Sequence, residues 1–277
     1  MASINTNVNA QFAQTALTVS SRAQTTAMQQ LSSGKRINSG KDDSAGLAMT
    51  ETMTGQIRGL NMAVRNANDG VSLLQTAEGA MIEQTNMLQR MRELAVQAST
   101  DTTTASDKGS IDLEFQALLK EIDRVGGSTQ WNGKNVLDAT GGTTLGTYNF
   151  QVGANQGQTV SVVIGSMTST GKLSDISTQS VTTTTVAGSA ITKIDLAIAA
   201  VASQRATIGA GMNRLTYAAD NLANVSQNAQ ESRSRILDTD YASSTTALSR
   251  AQIISQAATA MLAQANQQSQ SVLALLR

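Results

Sequence analysis

Two stretches of this chain, Gly34 to Lys41 and Gly165 to Lys172, set a pair of glycines ahead of a lysine and invite comparison with a phosphate-cradling loop. Both fail that comparison. The glycines stand one residue too far apart, and Asp42 occupies the position after Lys41 where such a loop needs a Ser or Thr for magnesium. Asp42 and Asp43 could act as paired acids or hold a cation, but their place just ahead of Ser44 to Ala48 reads more simply as helix capping. Asn224-Val225-Ser226 fits an N-glycosylation acceptor, yet it falls inside a helical tract and is discounted. The threonine run 182 to 185 reads as a solvated linker, with an O-glycosylated surface as the alternative. Trp131 reads as a plug for the end of a helical bundle. Gln89, Arg90, Arg92, Glu93 and Leu94 read as a solvated helix face carrying an Arg-Glu network.

Composition narrows the chemistry further. The 277 residues include no His, no Cys and no Pro. Thiolate nucleophiles, Ser-His-Asp relays and ordinary zinc or copper sites are therefore excluded. No catalytic, cofactor or metal site emerges, and the chain does not read as an enzyme. Twenty basic and twenty acidic side chains cancel, so no broad positive face is available for nucleic acid. No basic start followed by an apolar stretch marks a signal peptide, and no apolar run is expected to approach the length of a membrane span. Three Phe, three Tyr and one Trp are too few to fill the core of one thick globule. Thin helix-on-helix seams with small knobs fit better.

The elements that must carry these residues follow from periodicity. Ile194, Val201, Ile208, Leu215, Leu222, Ala229 and Ile236 recur every seven residues, the spacing of a seam along a long helix. A first tract carries Phe12, Ala16, Val19, Ala23, Ala27 and Leu31 and stops at Gly34. A second runs from Met53 through Leu74, shifts phase, and continues from Ala77 to Ala98. A third places Ile111, Phe115, Leu118, Ile122 and Val125 on one stripe before Gly126 and Gly127. The last, beyond Asp238 to Tyr241, carries Ala247, Ala251, Ile254, Ala258, Met261 and Ala265. Between the rods, Tyr148, Phe150 and Val152, then Val160, Val162 and Ile164, alternate around a Gly153 to Gly157 turn and predict a β-hairpin. Residues Gly165 to Ala190 read as an exposed loop. Pairing the terminal tracts alone leaves Leu17, Leu248, Ile253 and Leu273 facing water, which marks an interface.

Several segments resemble bacterial flagellin. They are LSSGKRINSGKDDSAGLA at 31 to 48, QRMRELAVQ at 89 to 97, EIDRV at 121 to 125, QVGAN at 151 to 155, SRSRILDTDYA at 232 to 242 and LAQANQQSQSVLALLR at 262 to 277. All stand in family order. Two departures are visible: Gln267 to Ser269 stand where family members often have Pro, and Gly211 and Met212 where stiffer residues are expected.

The resemblance implies a mainly α fold, a coiled-coil and helical bundle with a small β-hairpin region in the middle. Residues 1-43 and 237-277 would form an inner coiled-coil domain. Residues 44-170 and 190-236 would form the bundle, with β-hairpins at 128-170, and 171-189 a short exposed loop replacing the outer domains of larger members. It implies a homopolymer of many copies, a secreted flagellar filament for motility, with a hook-filament junction protein as the alternative. Further implied partners are the flagellar export apparatus, a secretion chaperone, the filament cap and hook-junction proteins. Filament core packing would fall to Phe12, Leu31, Ile254, Met261, Val272, Leu275 and Leu276. Contact with the flagellin-sensing toll-like receptor of animal hosts would fall to Gln89, Arg90, Leu94 and Glu114.

Overall fold

A computed structural model describes residues 6–142 and 146–275, with side chains described as far as Gln267. Five helices dominate: α1 (Val8–Ser33), α2 (Ser44–Ala98), α3 (Ala105–Ser128), α4 (Thr184–Leu237) and α5 (Tyr241–Leu275). Two antiparallel hairpins lie between α3 and α4: β1 (Gln130–Trp131) with β2 (Lys134–Asn135), and β3 (Thr147–Gln151) with β4 (Thr159–Val163). The chain divides into two compact units, Met1–Gly55 with Asn228–Arg277, and Gln56–Gln227. Both α2 and α4 contribute to each.

Local signals set the helix ends. Gly34 adopts φ 68° and its N–H reaches the Gln30 carbonyl, the left-handed cap that glycine takes without steric penalty. Asp43 Oδ1 accepts from the Gly46 N–H at 2.8 Å and caps α2. Thr104 and Asp107 exchange hydrogen bonds in a capping box at the start of α3. The phase shift near Val71 leaves α2 unbroken. Gly126 and Gly127 do not end α3, which runs on to Ser128. Gly126 is small because a Cβ there would sit 2.8 Å from the Met167 carbonyl oxygen.

The core of the second unit forms where α2, α3 and α4 meet the β3–β4 hairpin. Leu74, Met81, Leu88, Met91, Phe115, Ile122, Val201, Ile208 and Leu215 are buried there. Tyr148 and Val162 pair in register and point inward, as alternation predicts. Gly70 and Gly211 let the hairpin seat directly on the helices: a Cβ on Gly70 would meet Phe150 at 2.8 Å, and one on Gly211 would meet Val162 at 2.8 Å. The unexpected Gly211 is thus a packing glycine.

The segment read as an exposed loop is a correction. Met167, Leu173, Ile176, Val181 and Ala187 are buried, a short 3-10 turn covers Ser174–Ile176, and α4 already starts at Thr184. Polar side chains from the helices hold its backbone. Asp123 accepts from the Ser169 N–H and hydroxyl, each at 2.6 Å, and Asp112 accepts from the Val181 N–H at 2.8 Å. Gln84, fully buried, donates to the carbonyls of Ile122 and Met167. Gln204, on the α4 seam, donates to the Val163 carbonyl and accepts from Lys172.

One expectation about α4 also changes. The helix contains an 18-residue stretch of mean hydropathy 1.5, and by length and composition it qualifies as a membrane span. Alanine raises the mean there without a continuous block of large apolar side chains. Lys193 and Asp195 in this helix are ion-paired, to Asp175 at 3.0 Å and Arg92 at 2.7 Å.

Candidate functional site

Two surfaces carry the residues that sequence reasoning singled out. The first lies in the terminal unit, where α1 and α5 pair through mostly small side chains. Ser20, Ala27, Ser244, Ala251 and Ala258 are buried in this seam, and Ala10, Ala13, Leu17, Gln24 and Leu31 continue the α1 side half-buried at alternating steps of three and four. The Ser20 hydroxyl donates to the Ala251 carbonyl at 2.7 Å, and Asn7 Nδ2 donates to the Ala265 carbonyl at 3.0 Å. Small knobs at the buried positions permit this close approach of backbones.

The stripe that periodicity selects is therefore mostly not the one paired within the chain. Phe12 is 74% exposed, Met261 64% and Ile254 45%, and Val19 also faces outward. Phe12, Ala16, Val19, Ala23, Ala247 and Ile254 instead line an open groove of about 1060 Å³ along the helix pair. Each terminal helix has two stripes: one built mainly of small residues and used internally, and a larger apolar one left open. Leu31 is half-buried. The side chains of Val272 and Leu275, and Leu276 altogether, lie outside the described residues.

At the end of this unit the links flanking α1 and α5 clasp each other. The Arg36 N–H donates to the Leu237 carbonyl at 2.7 Å, and the Thr239 N–H donates to the Gly34 carbonyl at 3.1 Å. The Arg36 guanidinium donates twice to the Ile236 carbonyl, satisfying an orphan acceptor at the end of α4. Asp42 belongs to this turn. Backbone N–H groups of Asn38 and Ser39 and the Ser39 hydroxyl hold its carboxylate, which lowers its pKa below the ordinary aspartate value. Among the described residues no three acidic side chains cluster as a metal cradle.

The second surface lies on α2 and α3. Gln89, Arg90, Glu93 and Glu114 are exposed. The Arg90 guanidinium donates to Glu114 at 3.0 Å and to Glu93 at 3.0 Å, the Glu114 bond contributing most to holding its pKa above the ordinary arginine value. Leu94 departs from expectation: it is 2% exposed and packs in the core, so it is no surface anchor. Four residues after Arg90, it has rotated onto the buried stripe with Met91 and Ala95. Exposed apolar side chains missed by the sequence reading are Val96 on α2 and Leu113 on α3, the latter 75% exposed and adjacent to Glu114 in sequence. Both fall off the heptad stripe, which was their only signal.

The remaining candidates resolve locally. Ser226 of the glycosylation acceptor is buried and donates to Asn61 Oδ1 at 2.8 Å. Trp131 is half-buried against the bundle core. Thr183 is exposed, and its carbonyl accepts the Ala187 N–H at the start of α4.

Residues 4–141 match the bacterial flagellin N-terminal helical region and residues 191–276 the bacterial flagellin C-terminal helical region. A flagellin of Halalkalibacterium halodurans is 46% identical over 251 residues, 91% of each chain. Flagellin B of Vibrio cholerae is 35% identical over an alignment of 375 residues covering 99% of each chain, so that relative carries sequence this shorter chain lacks. The crystal structure of Bacillus cereus flagellin is similar at a TM-score of 0.50 and 33% identity, covering 57% of this chain and 88% of that one.

Proposed function

Since the chain belongs to the bacterial flagellin family and is a structural subunit of the extracellular flagellar filament, we propose that copies stack through the outward apolar stripes of α1 and α5. The observation that carries this reading is the open groove with Phe12, Val19 and Ile254 at its wall. Large apolar side chains left exposed while alanines are buried beside them mark a surface completed by other chains. Phe12, Leu31, Ile254 and Met261, with Val272, Leu275 and Leu276 beyond the described side chains, are assigned to this packing. Residues 171-189 stand in for the outer domains of longer relatives, and the inner pair takes in the start of α2 and the end of α4, following the compact units Met1–Gly55 with Asn228–Arg277 and Gln56–Gln227.

The test is removal of Gln264 to Arg277. The truncated protein is expected to stay soluble and mainly helical and to form no filaments by negative stain; normal filaments would overturn the assignment. Protease sensitivity gives a milder version. Both ends of the monomer are expected to be cut quickly while Met53 to Ile236 resists, and assembly should protect the ends.

Within this reading the export apparatus and a secretion chaperone handle the chain before assembly, and the cap and hook-junction proteins meet it at the two filament ends. Enzymatic activity forms no part of it. The exposed face of Gln89, Arg90 and Glu114 is assigned to subunit contacts and, in the monomer, to the host flagellin-sensing receptor. Leu94 acts there only by positioning the helix that bears Arg90.

A further inference from the structure

Asn132 and Gly133 form the two-residue loop between β1 and β2, with Trp131 paired to Lys134. Both loop residues have positive φ, 48° and 76°, the signature of a type I′ turn. Asn132 is exposed, and no hydrogen bond from the described residues engages its side chain. Around Gly133 nothing among the described residues stands within 4 Å of where a Cβ would be. An asparagine followed by glycine is the sequence in which the next backbone nitrogen most easily reaches the side-chain amide carbon, because no side chain obstructs the attack.

We propose that Asn132 is a spontaneous modification site whose reactivity is gated by opening of the β1–β2 hairpin. The Gly133 backbone nitrogen attacks Asn132 Cγ, a C–N bond forms, and the side-chain nitrogen leaves as ammonia. Water then opens the five-membered imide at either carbonyl, giving aspartate or isoaspartate. The closed turn opposes ring closure: a type I′ turn holds ψ of its first central residue at about +30°, which turns the Gly133 nitrogen away from Cγ. Opening is a local event at the tip: the base is held by the Val136 N–H to Thr129 carbonyl bond at 3.0 Å and by the Tyr148 hydroxyl donating to the Asn135 carbonyl at 3.0 Å, whereas the Trp131–Lys134 pair beside the turn has only the half-buried Trp131 as anchor. Aspartate at 132 keeps the turn and adds a negative charge beside Lys134. Isoaspartate puts an extra carbon in the backbone, and a two-residue turn has no slack for it.

The experiment ages the purified full-length monomer at mildly alkaline pH and maps Asn132 by peptide mass spectrometry with isoaspartate-specific enzymatic labelling. Modification is expected to accumulate at Asn132 ahead of every other asparagine, and roughly tenfold faster in denaturant than in the folded chain, as a small local opening energy implies. Urea well below the global unfolding transition should already accelerate it. Trp131→Ala should accelerate it in the folded state, and Gly133→Ala should slow it in denaturant, where the fold plays no part. Equal rates in folded and unfolded chains would remove the gate, and no preference for Asn132 in denaturant would remove the site.

Discussion

Replacing Leu94 and Arg90 in turn separates the core from the surface on a single helix. Leu94 is 2% exposed among Met91, Ala95 and the rest of the bundle core. Truncation to alanine removes buried methyl groups and leaves a cavity, at a cost of about 2–5 kcal/mol. For a unit of this size, Gln56–Gln227, each kcal/mol lowers Tm by roughly 2–4 °C, so Leu94→Ala should lower it by roughly 4–20 °C. Arg90 has a half-exposed side chain with surface ion pairs to Glu93 and Glu114. Exposed pairs contribute about 0–1 kcal/mol, so Arg90→Ala should leave Tm within a few degrees. Circular dichroism melts supply the stability axis; sedimentation of polymer and a receptor reporter assay supply the recognition axis. The expected result is that Arg90→Ala weakens assembly and receptor signalling at unchanged Tm, whereas Leu94→Ala acts only as far as the bundle melts. A Leu94→Ala variant with wild-type Tm but lost recognition would refute this placement of the side chain, and full recognition by Arg90→Ala would remove the face.

Other perturbations follow from the same geometry. Gly209→Ala on α4 has open space and should raise stability by about 0.5–1 kcal/mol through helix propensity, whereas Gly211→Ala drives a methyl against Val162 and should lower it by about 1–3 kcal/mol; chemical denaturation of the two variants measures the difference. Leu215→Asp buries an unpaired carboxylate at 0% exposure and should destabilise by about 3 kcal/mol or more, while Thr183→Asp at the start of α4 should change the melt little. Asp107, in its capping box, has a pKa below the ordinary 3.8, its bond to the Thr104 hydroxyl being the main cause. Its stabilisation is thus present above 3.8 and lost as pH falls through the folded value, and Asp107→Asn should flatten the acid end of a Tm profile. Tyr148 is shifted the other way, first by burial and then by Asp138. Its stabilisation is present below 10.0 and lost at higher pH, so Tyr148→Phe should flatten the alkaline end.

The seam of α4 is legible because its buried face carries large residues at strict heptad spacing, Ile194 through Leu222. The hairpin is legible because Tyr148, Val160 and Val162 alternate cleanly. The terminal pair is legible as helices but mostly not as faces. When both stripes are apolar, periodicity favours the larger side chains, and here it is mainly alanines and serines that go inside. The Met167 to Val181 segment escapes a periodicity argument because its burial depends on Gln84, Asp112, Asp123 and Gln204, polar residues on helices that reach it across 32 to 83 positions of sequence. Leu94 is misplaced by sequence because the motif around it fixes identity and not orientation.

The hydrogen bond from Ser20 to Ala251 closes a loop of 231 residues. For a free chain, joining such distant points carries an entropic penalty of about 5 kcal/mol, beyond what one seam of alanines readily offsets. Folding of the second unit lowers it by about 1 kcal/mol, because the Ser226 to Asn61 hydrogen bond already ties together the segments leading out to α1 and α5. Topology thereby favours an order of events in which the bundle forms first and the terminal pair closes across the shorter remainder. A backbone cut within the bundle should accordingly uncouple α1 from α5 without touching either helix.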